Sequence, residues 1–485
     1  MKIKEILTNC NLLEIDGEKD RDIVGLAFDS RKVEEGTLFF AVKGTQVDGH
    51  DYIDKAIEKG ASAIVCEKLP QKKVDTVTYI KVGNSAYVLG IAAANFFDNP
   101  SEKLKLVGVT GTNGKTTIAT LLYRLFTDAG YCSGLLSTIE NIISREVIPS
   151  THTTPDPLEL NASLQKMVEK GCEYAFMEVS SHSVAQDRIA GLHFAGGIFT
   201  NLTHDHLDYH KTMANYRNAK KKFFDNLPQT AFALTNLDDK NGAVMLQNCK
   251  AKKLSYALKH DADFKGIILE SRFDGMLIKV NGTEMHTLLV GGFNASNLLA
   301  IYGAALSLGF NKDELLVEIS KLHGANGRFD MVHSENGIIG IVDYAHTPDA
   351  LDNVLKTINE VRCHKETLIT VVGCGGNRDT TKRPEMAATA VKLSDRVILT
   401  SDNPRNEDPD EIIRQMKTGI AEEDKHKVLC ITNRGEAIRT AVALAKKGDI
   451  ILLAGKGHET YQEINGVKNH FDDKEILSQA FKEAL

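Results

Sequence analysis

The chain has 485 residues, of which 42% are hydrophobic and 25% charged, and its formal net charge is −7. This length has room for about three domains, and the composition is typical of a globular rather than a disordered protein. The acidic balance argues against nucleic acid as a partner. The first twenty residues carry early acids and no long apolar core, and no stretch reaches the about 18 apolar residues of a membrane span. We therefore expect neither a signal peptide nor a transmembrane helix.

The eight cysteines are scattered along the chain and form no CxxC pair. Such spacing does not indicate a disulfide framework or a cysteine zinc site. We expect reduced thiols and a cytoplasmic location.

Residues 1–100 have the pattern of a small α/β domain. A predicted helix at 52–59 leads through a glycine into a buried strand at 63–66. The loop FDSRKVEEGTLFFAVKG carries Ser30, whose ordinary interpretation is a turn hydroxyl. Asn99-Pro100 breaks a helix, and this places the first domain boundary there.

The stretch KLVGVTGTNGKTTIATLLYRLFTDAG, residues 105–130, predicts a strand, a glycine-rich turn and a helix. The strand ends at Val109, and apolar residues recur with helical spacing from Ile118 to Phe126. This is the layout of a phosphate-binding loop. The general GxxxxGK[ST] pattern has glycine where this chain has Val109. A surface turn before an ordinary helix is the alternative.

The turn itself contains the groups that bind phosphate. Its backbone N–H groups would surround phosphate oxygens, and the helix N-terminus adds partial positive charge. Lys115 would neutralise the outer phosphates, and Thr116 or Thr117 would bind Mg²⁺. The sequence therefore predicts a nucleotide site.

A second strand, predicted at 174–179, carries one carboxylate, Glu178, near its C-terminal end. Ligands of open α/β sheets bind at that edge, so Glu178 is a candidate Mg²⁺ ligand; an acid facing water is the alternative. The segment HTTPDP places Thr153 and Thr154 in a loop that enters a helix. The following Ser181-His182 pair does not predict a hydrolase, because no GxSxG elbow is present.

A third strand, predicted at 197–200, leads into NLTHDHLDYH. The imidazole and carboxylate groups at 204–208 lack HExxH spacing and cysteine partners, so a hard-metal and phosphate site fits better than zinc. The helix predicted at 216–224 contains Lys220, Lys221 and Lys222, whose ordinary interpretation is a solvated basic face.

Short strands at 267–272, 276–280 and 283–288 predict a β insert on the central domain. Asn281-Gly282 between the last two is a strong hairpin signal. A helix follows, with Asn297 near its start.

From about residue 332 an α/β alternation begins again. A strand at 338–342 ends at Asp343, and Thr347 and Pro348 predict the start of a helix. Strands at 367–372, 396–400 and 449–454 are each followed by polar residues. Guanidinium and carboxylate groups that converge there would suit a zwitterionic amino acid. These residues are Arg378; Asp402, Asn403 and Arg405; and Gly455, His458 and Glu459.

Eight motifs in this order resemble those of the Mur ligases of peptidoglycan synthesis: GTNGKTT, HTTPDP, MEVSSHSVAQDR, NLTHDHLDYH, DYAHTPDAL, GCGGNRD, DNPR and GKGHE. The resemblance covers essentially the whole chain, and the family's own loop, TGTNGKT[ST], accounts for Val109. It implies an α/β protein of three domains: residues 1–100 for a UDP sugar, 101–331 as a central P-loop ATPase, and 332–485 as a Rossmann-like amino-acid domain. A monomer is expected, with a hinge near 330–337.

The resemblance also implies roles for individual residues. Lys220 matches a lysine that the family carries as a carbamate (an N6-carboxylated lysine) able to bind Mg²⁺. The magnesium ligands would be Thr116, Glu178, His206 and Lys220. Those for ATP would be Gly111, Thr112, Asn113, Gly114, Lys115, Thr116, Thr117, Asn297, Arg328 and Asp343. Contacts to the UDP-sugar dipeptide would be Ser30, Thr153, Thr154, Ser180, Gln186 and Arg188. Those to the amino acid would be Arg378, Asp402, Asn403, Pro404, Arg405, Gly455 and Glu459.

The implied reaction is ATP-driven amide formation through an acyl phosphate, with Lys115, Glu178, His206 and Lys220 as catalytic groups. The DNPR motif marks members that add meso-2,6-diaminopimelate to UDP-N-acetylmuramoyl-L-alanyl-D-glutamate. Arg405 can pair with the second carboxylate of that amino acid, which lysine lacks. The alternatives are the same ligase with L-lysine, a folate polyglutamate ligase, a nucleotide-gated regulatory protein and a plain phosphotransferase.

Overall fold

The computed structural model describes residues 1–44, 47–150, 152–363 and 365–484. Within these ranges the strands form three larger sheets and a separate two-stranded hairpin. Helices cover these sheets, and the α/β class predicted from the sequence is confirmed. In the same ranges no helix is long and apolar enough to cross a membrane.

The first sheet has the strand order β1-β5-β4-β3-β2, in which only the β1–β5 pair is antiparallel. Its strands are β1 (Leu12–Asp16), β2 (Gly25–Ala27), β3 (Thr37–Phe40), β4 (Ala61–Cys66) and β5 (Thr78–Val82). Its helices are α1 (Ile3–Ile6), α2 (Ile53–Glu58) and α3 (Ser85–Phe96), with 3₁₀ turns at Ser30–Lys32, Gly49–Tyr52 and Pro100–Lys103.

The central sheet has the order β16-β15-β14-β13-β12-β11-β6-β10-β7-β8-β9. The strands are β6 (Lys105–Thr110), β7 (Ser133–Leu136), β8 (Glu140–Ile143), β9 (Glu146–Pro149), β10 (Tyr174–Glu178), β11 (Gly196–Phe199), β12 (Phe232–Asn236), β13 (Lys252–Ala257), β14 (Phe264–Arg272), β15 (Gly275–Val280) and β16 (Thr283–Thr287). The helices are α4 (Lys115–Asp128), α5 (Pro157–Glu169), α6 (Ser181–Ala185), α7 (Leu207–His210), α8 (Met213–Asp225), α9 (Gly242–Met245), α10 (Gly292–Ser307) and α11 (Lys312–Ser320).

The middle of this sheet is parallel and buried on both faces. Strand β6 lies between β10 and β11, and the apolar side of α4 packs over it through residues such as Leu122 and Leu125. The sequences of these strands are continuous apolar runs because neither face of the sheet is exposed to water. The predicted nucleotide loop therefore begins at the C-terminal end of a central strand.

The strands predicted as an insert belong to the central sheet. Strand β14 pairs in parallel with β13 and then turns into the antiparallel strands β15 and β16, so the sheet simply continues to its edge. The predicted hairpin turn is confirmed, because Asn281 and Gly282 both have positive φ, 44° and 91°. Left-handed backbone at both positions is that of a tight two-residue hairpin.

The third sheet has the order β17-β18-β22-β19-β20-β21, and only β17 is antiparallel to its neighbour. Its strands are β17 (Asp330–His333), β18 (Ile339–Asp343), β19 (Leu368–Val372), β20 (Arg396–Leu399), β21 (Val428–Cys430) and β22 (Ile450–Ala454), and the separate hairpin is β23 (Tyr461–Ile464) with β24 (Val467–His470). The helices are α12 (Pro348–Val361), α13 (Lys382–Leu393), α14 (Pro409–Lys417), α15 (Arg434–Leu444) and α16 (Asp473–Glu483), with a 3₁₀ turn at Glu422–Lys427. Thr347 caps α12 as predicted, through a hydrogen bond from the N–H of Ala350.

The segment expected to be a hinge has regular structure. Residues 330–333 are strand β17, and the turn at 334–337 joins it to β18. The irregular connection between the second and third sheets lies earlier, at residues 321–329.

Candidate active site

A cavity of about 740 Å³ lies where the central and third sheets present the C-terminal ends of their parallel strands. Ligands of open α/β sheets bind at such ends. Every residue predicted for the site is described, and all of them line this cavity except Ser30, Gly111, Gln186, Pro404 and His458. Ser30 instead starts a 3₁₀ turn beside the first sheet, and its side chain is buried there.

Two glycines allow the nucleotide loop to turn tightly. Gly111 has φ +154° and Gly114 has φ +86°. A Cβ on Gly111 would lie 1.8 Å from Thr200 Oγ1, and one on Gly114 would lie 2.8 Å from Asn297 Oδ1. The loop therefore packs directly against β11 and α10, and helix α4 begins at Lys115 with its N-terminus toward the cavity.

The segment after β11 holds the nucleotide loop in place through three hydrogen bonds. The N–H of Thr112 donates to the carbonyl of Asn201 at 2.8 Å, and the N–H of Asn113 donates to Asn201 Oδ1 at 2.9 Å. Thr200 Oγ1 donates to the Asn113 carbonyl at 2.6 Å. These bonds hold the loop backbone in its turned conformation, so the site is preformed.

Two lysines, the half-buried Lys115 and the buried Lys220, share one acceptor in the loop. Lys115 Nζ donates to the Gly111 carbonyl at 3.0 Å and to the Thr112 carbonyl at 2.8 Å, and Lys220 Nζ donates to the Gly111 carbonyl at 2.6 Å. Burial lowers the pKa of Lys115, although Glu178 and Asp205 oppose this. Burial, and after it the charge of Lys115, lower the pKa of Lys220 well below its usual value. The ordinary interpretation of Lys220 as part of a solvated face is wrong, because its side chain is 1% exposed.

Glu178, at the end of β10, is a buried carboxylate with one oxygen unpaired. Its Oε1 accepts a hydrogen bond from the N–H of Thr138 at 2.7 Å, whereas Oε2 has no partner. An unpaired buried carboxylate oxygen is costly unless a ligand satisfies it. In the described part of the chain, no group of three or more His, Cys, Asp and Glu side chains could hold a metal by itself. A cation here would need other oxygen donors as well.

The three histidines near Lys220 are neutral at pH 7. Burial lowers the pKa values of His182, His206 and His210 to about 4 each. His206 lies beside Asp205, with Nε2 3.4 Å from a carboxylate oxygen, and its ring is 4.8 Å from that of His182. A neutral imidazole can bind a metal or accept a proton.

The threonines of HTTPDP are joined to the strand that carries Glu178. Thr154 Oγ1 donates to the Glu178 carbonyl at 2.9 Å and accepts from the N–H of Ser180 at 3.1 Å. Arg188 donates to the Thr154 carbonyl at 3.0 Å and to Gln186 Oε1 at 2.9 Å. Gln186 thus orients Arg188 from outside the cavity.

The Ser-His pair is not a nucleophile and its base. Ser181 Oγ lies 2.9 Å from His210 Nε2, not against the adjacent His182. Ser180 caps α6 by accepting from the N–H of Ser183 at 3.1 Å. The structure therefore agrees with the absence of a hydrolase motif.

Two hydrogen bonds cross the cavity between the central and third sheets. Arg328 donates to Thr116 Oγ1 at 3.1 Å, and its guanidinium lies 4.6 Å from the ring centre of Tyr344. Asn113 Nδ2 donates to Asp349 Oδ2 at 3.0 Å. The end of β18 contributes Asp343, whose pKa burial raises to about 6 although Arg328 lowers it. The nucleotide loop thus contacts both sides of the cavity.

Arg405 is held in place from two directions. Its guanidinium donates to the Gly376 carbonyl at 2.8 Å and lies 3.4 Å from the Glu463 carboxylate. Its backbone is left-handed, with φ 53°, which is unusual for a residue with a side chain. Arg378 and Arg405 flank Gly375, because a Cβ there would lie 3.8 Å from Arg378 Cγ and 3.0 Å from an Arg405 nitrogen. Two arginine side chains therefore lie beside Gly375 at this end of the cavity.

Glycine is required at position 455, where φ is +117° and a Cβ would lie 2.7 Å from Asp402 Oδ2. Pro404 lies outside the cavity lining, and its carbonyl packs so closely on Gly376 that a Cβ there would lie 1.9 Å away. Asn403 Nδ2 donates to Glu459 Oε2 at 2.8 Å. The loops after β20 and β22 are therefore in direct contact.

Sequence reasoning missed Lys456, Asp349 and Asn201. The lysine stands inside GKGHE, and the asparagine and aspartate directly follow residues that were noted. Nothing in their spacing indicates that Lys456 is buried, that Asn201 holds the nucleotide loop or that Asp349 bonds to it across the cavity. Lys456 is 0% exposed and contacts Glu459.

A phosphate loop that faces a second parallel sheet across one polar cavity defines a P-loop enzyme whose site is completed by a separate α/β unit. Three family models match the chain: Mur ligase family, catalytic domain, over residues 22–100; Mur ligase middle domain, over 109–305; and Mur ligase, glutamate ligase domain, over 327–457.

The chain is similar over almost its whole length to proteins named UDP-N-acetylmuramoyl-L-alanyl-D-glutamate--2,6-diaminopimelate ligase. Those of Phocaeicola vulgatus and Bacteroides fragilis are each 60% identical over 481 residues, or 99% of this chain and 99% of theirs. A solved structure of the same name is 34% identical, covers 100% of this chain and 99% of its own, and has a TM-score of 0.70. The chain therefore belongs to the Mur ligase family.

Proposed function

We propose that this protein adds meso-2,6-diaminopimelate to UDP-N-acetylmuramoyl-L-alanyl-D-glutamate with ATP, as a step of peptidoglycan synthesis in the cytoplasm. The observation that carries the proposal is that the nucleotide loop and Arg405 line the same cavity. The names of the 60% identical relatives support the same reaction. The first sheet would serve the UDP sugar, the central sheet ATP and the third sheet the amino acid.

In the first step the free side-chain carboxylate of the substrate's glutamate attacks the γ-phosphate of ATP, which gives an acyl phosphate and ADP. Lys115 and the N-terminus of α4 would neutralise the phosphate oxygens, and Arg328 would reach them from the other side. The preformed loop makes this step a matter of positioning and charge stabilisation. We assign the rest of the nucleotide to the part of the cavity that is lined by Asn297, Asp343, Thr112, Asn113, Gly114 and Thr117. Gly111 would shape the loop from outside that lining.

The residues present fit Mg²⁺. Glu178 offers an unpaired buried carboxylate oxygen, Thr116 a hydroxyl on the loop, and His206 a neutral imidazole. Oxygen-rich donor sets shared with substrate phosphates are what Mg²⁺ prefers. When bound, the ion would supply positive charge to the phosphate oxygens in transfer.

Lys220 fits the role of a carbamylated lysine. Its burial beside Lys115 favours the neutral amine, and a neutral amine can add CO₂ at its nitrogen with loss of one proton. The product is an anion, which would form an ion pair with Lys115, whereas a protonated Lys220 would repel it. The same anion would be a further Mg²⁺ ligand.

We assign the UDP-sugar dipeptide to Thr153, Thr154, Ser180 and Arg188, with Gln186 orienting the arginine. Ser30 would contact the UDP sugar from the first sheet, outside the cavity described above. These residues would extend the binding site from the first sheet to the carboxylate that is activated.

In the second step the amine of diaminopimelate attacks the acyl phosphate carbon, and phosphate leaves as the amide forms. We assign the second carboxylate of the amino acid to Arg405, with Arg378 beside it. Asp402 and Glu459 would bind the ammonium groups. Asn403, Pro404 and Gly455 would shape the loops that carry these two acids. His206, being neutral, is a candidate to accept the proton of the attacking amine.

The decisive experiment is phosphate release with ATP and the UDP-sugar dipeptide, comparing meso-diaminopimelate with L-lysine. We expect release with diaminopimelate only, and its loss in Arg405→Ala. The control is Arg439→Ala, which removes an exposed arginine that pairs with Glu436 and Glu483 on the surface. Release with lysine, or indifference to Arg405, would overturn the assignment of the amino acid.

Trapping with hydroxylamine separates the proposal from the other classes. An acyl phosphate gives a hydroxamate of the sugar dipeptide, whereas a plain phosphotransferase gives none. A regulatory protein would bind ATP without phosphate release that depends on both co-substrates. Absence of the hydroxamate together with absence of dependent release would overturn the ligase proposal.

A further inference from the structure

His346 lies in the loop between β18 and α12 and lines the cavity, but neither step of the proposed reaction uses it. Its Nδ1 is 2.9 Å from the carbonyl of Tyr344, and its ring lies 4.6 Å from the Tyr344 ring. A carbonyl oxygen only accepts hydrogen bonds, so Nδ1 carries the proton of the neutral ring and Nε2 carries a lone pair. The backbone of the loop therefore fixes the tautomer of this imidazole.

Nε2 of His346 is available to a ligand. Among the described residues none forms a hydrogen bond to it, and the half-buried ring belongs to the cavity wall. Burial lowers the pKa of His346, and the charge of Lys382 lowers it further. Asp205 and the bond to the Tyr344 carbonyl oppose this shift, and Arg328 adds to it. The imidazole is therefore neutral at pH 7 and can accept one proton.

The groups around His346 belong to both halves of the reaction. Asp205 lies in the segment after β11, and Arg328 reaches the first turn of the helix that follows the nucleotide loop. On the other side, Lys382 begins α13 directly after the loop that carries Arg378, and its Nζ donates to the His346 carbonyl at 2.9 Å. His346 therefore lies where the groups that we assign to ATP meet those that we assign to the amino acid.

We propose that His346 is a catalytic residue, the general base that takes a proton from the attacking amine of diaminopimelate through Nε2. This inference rests on the proposed function. The Nδ1 contact to Tyr344 holds the ring so that Nε2, the nitrogen with the lone pair, is the one that the amine meets.

The step balances as follows in atoms and electrons. The amine reaches the site neutral, after its ammonium form has lost one proton to solvent. Its lone pair forms the new bond to the acyl phosphate carbon, and one N–H proton passes to Nε2 of His346. The electron pair of the carbon–oxygen bond leaves with phosphate. His346 then gives its proton to solvent, which restores the neutral ring for the next turnover.

His206 is the other neutral imidazole considered for this proton, and its assigned role separates the two. We assign His206 to the metal ion, and a ring nitrogen whose lone pair binds a cation cannot accept a proton. His206 and His458 are also near His346, because its charge would lower the pKa values of both. Those pKa values are about 4 and about 3, so neither ring adds charge near His346 at pH 7.

The experiment measures two reactions of wild type, His346→Asn and His346→Gln. The first is phosphate release with ATP, the UDP-sugar dipeptide and saturating meso-diaminopimelate. The second is hydroxamate formation when hydroxylamine replaces the amino acid. Hydroxylamine is already neutral at pH 7 and is a strong nucleophile, so it attacks the acyl phosphate without help from a general base.

We expect kcat with diaminopimelate to fall by about a hundredfold or more in both variants, because a positioned general base contributes about 10²- to 10⁴-fold. The KM for diaminopimelate and the rate of hydroxamate formation should stay within about threefold of wild type, since binding and the first step do not need the base. His346→Asn keeps an N–H group that can donate to the Tyr344 carbonyl, so it retains the contact that shapes the loop. His346→Gln serves if the asparagine variant does not fold.

The matched control is His426→Asn. His426 Nδ1 lies 2.6 Å from the carbonyl of Glu423, which is the same kind of contact on a histidine outside this cavity. Both of its reactions should proceed at the wild-type rates.

Loss of amide formation with hydroxamate formation retained would support the inference. A wild-type kcat in a folded His346 variant would overturn it, and so would equal losses of the two reactions, which would mean that the residue acts on the first step or on structure. Wild type that gives neither hydroxamate nor phosphate release would instead overturn the proposed function, so the two failures are distinguishable.

Discussion

Arg328 and Thr116 are 212 residues apart in the chain, and a 3.1 Å hydrogen bond joins the guanidinium of one to the hydroxyl of the other. Thr116 is in the first turn of the helix that follows the nucleotide loop, and Arg328 lies in the irregular connection before the third sheet. The residue that links the two units is therefore also a residue of the nucleotide cavity.

We expect Arg328→Ala to lower kcat/KM for ATP by about a hundredfold or more, because a cation that faces transferred phosphate is lost. The measurement is steady-state phosphate release at varied ATP. The control is Arg124→Ala, which removes an arginine that donates from α4 to the carbonyls of His323 and Gly324 in the same connection but does not line the cavity. Equal losses in the two variants would show that Arg328 acts only by docking the units.

Lys220→Ala should lower kcat by about 10²-fold or more, because the anion that we propose at this position stabilises charge in the site. Intact-protein and peptide mass spectra should show the mass of CO₂ on Lys220 in wild type, and removal of bicarbonate should lower its activity. Lys221→Ala is the control, since Lys221 pairs with Asp225 at 2.6 Å on the same helix. Full activity of Lys220→Ala would contradict the carbamate.

Gly111→Ala should destabilise the protein by about 3 kcal/mol, because the new Cβ would overlap Thr200 Oγ1 at 1.8 Å and the loop has no room to relax. Gly130→Ala is the matched control. It has φ +93° but no atom within 4 Å of the added Cβ, so only the backbone cost of about 1 kcal/mol remains. Denaturant unfolding followed by circular dichroism measures both, since the chain has no tryptophan. Equal losses would mean that the close approach at Gly111 is unimportant.

Asp343→Asn should stabilise the ligand-free protein at alkaline pH relative to acidic pH. The native pKa of Asp343 is about 6, against 3.8 for an ordinary aspartate, so the native state holds the proton more tightly. Wild type therefore loses stability as pH rises through 6, by up to about 3 kcal/mol, whereas the asparagine cannot ionise. We expect the difference between variant and wild-type unfolding free energies to move in favour of the variant between pH 4 and 8. A constant difference would contradict the raised pKa.

Sequence patterns predicted the elements whose signal is local. The strand and helix around the nucleotide loop, the Asn281-Gly282 turn and the Thr347 cap all follow from spacing or from a single residue's chemistry. Strands β14–β16 were predicted as strands, but their position in the central sheet was not predicted. Neither the sequence of β13 nor that of β14 shows that the two strands pair.

The candidate site was predicted from motifs, whereas the supporting contacts were not. Asn201 and Asp349 bond to Asn113, which is 88 and 236 residues away in the chain, and their roles depend on which segments meet. Residue type and spacing do not separate Lys220 from Lys221 and Lys222. Only the family resemblance singled it out, and in the structure its Nζ donates to the nucleotide loop, whereas Lys221 pairs with Asp225. The hinge near 330–337 was expected because two domains must meet there, and nothing in the sequence showed that part of this segment is a strand paired with β18.

The left-handed backbone of Arg405 has a consequence for how this position can change over generations. Glycine, asparagine and aspartate tolerate φ near 53°, whereas an arginine there costs about 1 kcal/mol. In a library randomised at position 405, survival of folded protein alone should enrich those three residues. In cells whose growth requires a cell wall made with diaminopimelate, selection should enrich arginine at position 405 instead. Selection for the guanidinium would thus maintain a residue at this position that lowers the free energy of unfolding.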